Sequence, residues 1–222
     1  MNPGPELKFR RAFQSDIPFL IDAIVSAEKS GTEIFSYSNI FEMPEQDARK
    51  IFADIIAEDV RGQDLCISDY FLAEIDGKVA GCIASWIEGE GGQPSGVMKG
   101  TLLNYFFPKA NMLKAQAKKK VLDALHFEAV KGTLVIENCF TLPEFRGLGI
   151  LTRLMQEQTR LFLESKSGLK NSQMRVLKTN RSALEIYLKM GYKIIEEQHC
   201  PDPVILKWLP SDTQYILERQ LR

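Results

Sequence analysis

Two glycines one residue apart, in the stretch P-E-F-R-G-L-G-I-L-T-R-L from Pro143 to Leu154, turn the chain tightly in front of an amphipathic helix. A helix start of this kind leaves unpaired N–H groups facing outward at the positive end of the helix dipole, an arrangement suited to a pyrophosphate. Twenty-six residues beyond Leu154, and one strand later, N-R-S-A-L-E-I-Y-L-K-M-G-Y from Asn180 to Tyr192 describes a second helix that carries a phenol.

The size and charge of the chain limit what such a site could serve. With 222 residues, 45% of them apolar, it can bury a full core as a single domain over 1–222. Twenty-eight basic residues against 29 acidic ones leave almost no net charge, so no nucleic-acid partner is expected. Cys66, Cys82, Cys139 and Cys200 form no C-x-x-C, and the start M-N-P-G-P-E-L-K-F-R-R has no apolar secretory core. No apolar run reaches the roughly 18 residues of a membrane span. The expectation is a cytoplasmic protein without membrane contact.

Strand and helix patterns alternate along the chain. Leu7 to Phe13 reads as a strand; Ser15 then caps a helix with Ile17, Leu20, Ile21, Ile24 and Val25 on one face, ending near Gly31. An aromatic loop from Thr32 to Pro44 precedes a second helix around Ala48 to Val60. D-Y-F-L-A-E-I and K-V-A-G-C-I-A-S-W-I flank Asp76-Gly77, the chemistry of a two-residue hairpin turn. The Gly-rich stretch 89–96 reads as a linker, followed by a helical, apolar insertion spanning about 90–131. Next come a strand (133–142), a helix (147–164), a strand (172–178) and a helix (180–190), then strands at 192–200 and 213–221.

This order, with R-G-L-G-I-L after a strand ending in proline and N-x-x-A-x-x-x-Y-x-x-x-G-Y on the next helix, resembles the GNAT superfamily of acyl-CoA-dependent N-acyltransferases. The resemblance implies an α/β fold: a mixed, mostly antiparallel central sheet with a splayed pair of parallel strands, flanking helices and here a helical insertion. The family pattern is Q/R-x-x-G-x-G/A; Arg146 and Gly149 match it, and Leu151 stands where Gly or Ala is usual.

Residue by residue, the resemblance implies acetyl-CoA as cosubstrate. Arg146 and the amides of Gly147, Leu148, Gly149, Ile150, Leu151 and Thr152 would surround the pyrophosphate, each helix-terminus interaction contributing about 0.3 to 2 kcal/mol. The backbone of Phe140, Thr141 and Leu142, on the splayed strand, would pair with the pantetheine arm and polarise the thioester carbonyl. Asn180 would meet pantetheine, Ala183 would allow that helix to approach closely, and Tyr187 would protonate the departing thiolate. Holding a lysine-like amine neutral at pH 7 costs about 5 kcal/mol unless the site lowers its pKa or a base takes the proton. Glu137, six residues before Pro143, is the candidate, directly or through water; strand alternation puts it on the face of Cys139 and Thr141. The acceptor is expected at Phe35, Tyr37 and Phe41 and at the segment 200–203.

Simpler readings stand beside these. A lone R-G-x-G is an ordinary strand-to-helix turn, and only the second motif reverses that. Glu137 fits a structural ion pair as well as a base. Cys139 has no His partner and reads as a small core residue rather than a nucleophile. His126 and His199 lack ligand spacing, so no metal is expected. Lys114, Lys118, Lys119 and Lys120 read as a solvated face, and the insertion covers the acceptor cleft or forms a homodimer contact. Two functions remain: an N-acetyltransferase acting on a primary amine of a small molecule or peptide in a ternary complex, and a non-catalytic acyl-CoA-binding regulator on the same fold.

Overall fold

The computed structural model describes residues 6–221, so the first five residues of the N-terminal stretch lie outside it. Seven strands form one sheet: β1 (Leu7–Arg11), β2 (Tyr70–Ile75), β3 (Lys78–Ile87), β4 (Leu134–Thr141), β5 (Asn171–Leu177), β6 (Lys193–His199) and β7 (Thr213–Gln220). Their spatial order is β1-β2-β3-β4-β5-β7-β6. Neighbours run antiparallel except β4 and β5. The β2–β3 turn has φ of 49° at Asp76 and 79° at Gly77, the left-handed pair that a two-residue hairpin requires.

Helices cover both faces. On one side lie α1 (Ile17–Lys29), α2 (Ser36–Phe41) and α3 (Glu45–Ala57), together with α4 (Ser95–Phe106) and α5 (Lys109–Leu122) of the insertion; on the other lie α6 (Ile150–Ser165) and α7 (Arg181–Lys189). Leu20, Ile24, Phe52, Ile55 and Leu72 build the first core, and Leu134, Ile136, Leu154, Met155 and Leu217 the second. Each such fully buried side chain stabilises the fold by roughly 1.5 to 3 kcal/mol.

Several local expectations are corrected. Ser15 does not cap α1. A 3-10 turn over Gln14–Asp16 precedes the helix, and the Asp16 carboxylate accepts from the Phe13 amide at 2.7 Å. The aromatic loop contains α2, and Lys118 is buried rather than solvated: its ammonium donates to the Ile40 carbonyl at 3.0 Å and to Glu42 at 2.8 Å. With Phe107, 4.3 Å from Phe41 between ring centroids, and Asn111, which donates to the Phe41 carbonyl at 2.8 Å, it fastens the insertion to the first core.

Two irregularities in β4 create the site. The strand pairs with β5 only at Leu134↔Ser172 and Val135↔Gln173, after which the two diverge. Against β3, Ala84 pairs with Glu137 but Cys82 with Phe140, so Asn138 and Cys139 together oppose Ile83. Asn138, with φ of 49°, is the extra residue of this bulge; Asn tolerates the left-handed region better than its neighbours would. The bulge breaks the alternation expected from the sequence. Glu137 therefore lies on the face opposite Cys139 and Thr141: Phe140 packs on the first core and Cys139 on the second.

Candidate active site

Between the diverging halves of β4 and β5 runs a cleft of about 140 Å³. It passes from one side of the sheet to the other. Glu28 and Ser30 from the α1 side and Tyr187 and Asn180 from the α7 side line it, with Glu137 and Cys139 of β4 and Arg175 of β5 between them.

On the α7 side, Tyr187 is 6% exposed and lines the cleft with Cys139. Burial raises the phenol well above its ordinary value, and burial likewise pushes the Cys139 thiol up to about 12, so both groups keep their protons at neutral pH. Asn180 caps α7, its side-chain oxygen accepting from the Ala183 amide at 3.4 Å; among the described residues its NH₂ group has no partner. Ala183 packs on the second core.

The turn into α6 places Gly147 at φ 78° and Gly149 at φ 71°. No side chain caps this helix, and among the described residues none of the amides from Gly147 to Thr152 finds an acceptor. Six neighbouring donors at a positive helix end make an anion nest. Leu148 is exposed and Ile150 buried, while Leu151, where the sequence pattern has a smaller residue, packs into the second core. Arg146 is exposed, with Nε donating to the Thr141 carbonyl at 3.2 Å. The Leu142 amide donates to the Ala80 carbonyl.

On the other side, Glu137 also borders a second cleft of about 280 Å³, walled by Tyr37, Asp64, Trp86, Lys99, Phe127 and Arg175 among others. The insertion supplies Lys99 and the segment 122–129. Arg175 Nε donates to Glu137 Oε1 at 3.1 Å. Burial raises the Glu137 carboxyl, and the Arg175 guanidinium opposes that shift. Lys99 donates to Asp64 Oδ2 at 2.7 Å, and Asn138 Nδ2 reaches the Tyr70 hydroxyl at 2.9 Å and the Asp64 carbonyl at 3.3 Å. The bulge is thus tied to the insertion through Asp64.

Of the three aromatics expected at the acceptor, Tyr37 lines this cleft. Phe35 and Phe41 are buried in the first core, Phe41 stacked on Tyr37 at 5.9 Å. In the segment 200–203, Cys200 packs beside Leu125 in a third small cluster and Asp202 caps a 3-10 turn. Lys99, Arg175, Asp64 and Asn138 were not singled out from the sequence. Only Asn138 had a local signal, as a turn-prone residue inside a strand.

The chain matches the profile of the acetyltransferase (GNAT) family over residues 36–192. No curated protein sequence matches it. Among solved structures, an N-acetyltransferase from Staphylococcus aureus Mu50 aligns with a TM-score of 0.62 at 20% identity, over 96% of this chain and 100% of that one. An agmatine N-acetyltransferase aligns at 0.55 and 12% identity, over 97% and 99%. A GNAT-family acetyltransferase from Streptococcus pneumoniae aligns at 0.53 and 16%, over 98% and 100%. At these identities the likeness is one of fold.

Proposed function

The chain belongs to the GNAT family of acetyltransferases, and on that premise we propose that it moves an acetyl group from acetyl-CoA to a primary amine by direct attack in a ternary complex. The observation that carries the proposal is the passage through the sheet with Tyr187 at one end and Glu137 at the other. A donor and an acceptor entering from opposite faces meet there, each beside the group that must exchange a proton with it.

The nest from Gly147 to Thr152, with Arg146, holds the pyrophosphate, and the pantetheine arm follows the unpaired edge of β4 past Phe140 to Leu142 and Asn180. Glu137 takes a proton from the acceptor's ammonium. The amine nitrogen attacks the thioester carbonyl carbon, forming the C–N bond, and backbone amides near the bulge stabilise the oxyanion. As the intermediate collapses the C–S bond breaks and Tyr187 protonates the thiolate; the nitrogen's second proton passes through water to restore the Tyr187 phenol, and Glu137 releases the first to solvent. The raised carboxyl of Glu137 suits a base working near neutral pH.

Release of free thiol from acetyl-CoA upon adding a panel of amines tests this reading. Amine-dependent release is expected. Tight coenzyme A binding with no release by any amine would replace it with a non-catalytic acyl-CoA sensor.

A further inference from the structure

We propose that Arg175 and Lys99 make the second cleft a carboxylate-recognition site, so that the amine acetylated is that of a free α-amino acid. The inference rests on the reading above that this cleft takes the acceptor. Two cations reach the same cleft from distant parts of the chain, Arg175 from β5 and Lys99 from α4 of the insertion.

Each cation is fixed in place without using up its donors. Arg175 engages Glu137 through Nε alone; among the described residues its two terminal NH₂ groups make no hydrogen bond, and its side chain is 36% exposed. Those groups form the planar fork that binds a carboxylate through two parallel hydrogen bonds. Lys99 has a single carboxylate partner, Asp64, and lies 5.6 Å from the Tyr37 ring, so an ammonium with three donors is held at the cleft wall with capacity remaining.

The acidic groups of the cleft are arranged differently. Asp64 is committed to Lys99 and Asn138, and Asp123 to Lys119 at 2.6 Å. Glu137 and, from α1, Glu28 remain beside the passage through the sheet. An α-amino acid, with ammonium and carboxylate one carbon apart, places its carboxylate on the Arg175 fork while its ammonium stays next to Glu137. A polyamine instead brings its second ammonium toward Lys99 and Arg175, which repel it. Tyr37, Trp86 and Phe127 line the remainder, which suits an apolar or aromatic side chain.

The test compares matched pairs that differ only in the carboxylate: phenylalanine with phenethylamine, tyrosine with tyramine, tryptophan with tryptamine, leucine with isoamylamine, and spermidine beside them. Turnover with acetyl-CoA is measured, and binding to the coenzyme A-loaded protein is followed by calorimetry. At least one amino acid is expected to exceed its decarboxylated partner by roughly tenfold or more in kcat/KM and in affinity, the scale of a charge-assisted pair. Lys99→Met should erase that preference through KM of the amino acid, and Lys99→Arg should restore it. Equal or better use of the decarboxylated amines or of spermidine, or no amino acid bound at all, overturns the inference while leaving the transferase reading intact. An amino acid bound through Lys99, with no thiol release by any amine, keeps the carboxylate site but overturns the transferase reading and with it the acetylation of that amino acid.

Discussion

Glu137 and Arg175 form an ion pair at 3.1 Å at the point where the two clefts join, one from each strand of the diverging parallel pair. The divergence of β4 and β5 therefore does two things at once: it opens the passage and brings opposite charges to its rim.

With Glu137 as the proposed base, the pair should set the pH dependence. Burial raises the Glu137 carboxyl and Arg175 lowers it, with burial prevailing, so the acid limb of kcat/KM should lie above the ordinary carboxylate value of about 4.3. Replacing Arg175 with Met removes the lowering influence and should move that limb to higher pH. Glu137→Gln should abolish it, with the loss of rate greatest near neutrality and shrinking as pH approaches the pKa of the acceptor amine. Initial rates from pH 5 to 10 check all three; a limb unmoved in both variants would mean that another group titrates.

Tyr187→Phe keeps the ring in the second core and removes only the hydroxyl. Turnover should fall by roughly 10²-fold, the low end for general acid catalysis because a thiolate leaves readily, with coenzyme A affinity nearly unchanged. Single-turnover kinetics alongside calorimetry separate the two quantities. An unchanged rate would leave proximity and backbone polarisation as the whole of catalysis.

Gly149 sits at φ 71° with nothing within 4 Å of the position a Cβ would occupy. Gly149→Val therefore has open space at its Cβ, but it places a β-branched residue in the left-handed region at a cost of about 1 to 3 kcal/mol and intrudes on the space in front of the amide nest. Coenzyme A binding should be lost while the circular dichroism spectrum stays native. Wild-type affinity in a folded variant would put the pyrophosphate elsewhere.

Asp16 accepts from Arg10 at 2.7 and 2.9 Å as well as from the Phe13 amide. The hydrogen bonds from Arg10 are the main cause of a lowered Asp16 carboxyl. A carboxyl lowered on folding contributes stability above its unfolded pKa of about 3.9, and that contribution disappears as pH falls through the folded value. Asp16→Asn should thus cost about 1.5 to 3 kcal/mol at pH 7, and markedly less near pH 2. Urea unfolding at the two pH values measures the difference, and an equal cost at both would assign the loss to packing.

What could be read from the chain beforehand was local. The Asp76-Gly77 turn, the glycines ahead of α6 and the 3.6-residue periodicity of α1, α3 and α6 each express a backbone preference within a few neighbours. The short α2 escaped because six residues nucleate poorly alone, and it exists through the packing of Tyr37 and Phe41 on Phe52 and Phe107. The face of Glu137 was misjudged because one bulged residue inverts a two-residue period. Lys99 and Arg175 stand 76 positions apart with no spacing rule between them, and only the tertiary fold makes them neighbours.

The insertion is fastened to the first core and lines the cleft, and Lys99 serves in both through its ion pair with Asp64. Phe107, Asn111 and Lys118 attach it to α2 and α3, whereas Lys99 and Phe127 face the cleft. Residues that secure a segment are under packing constraints, and residues that only line a cavity are not. Lining positions without such contacts, such as the exposed His126, can therefore change, and with them the shape of the cleft, while β4, α6 and α7, which form the proposed coenzyme site, keep their geometry.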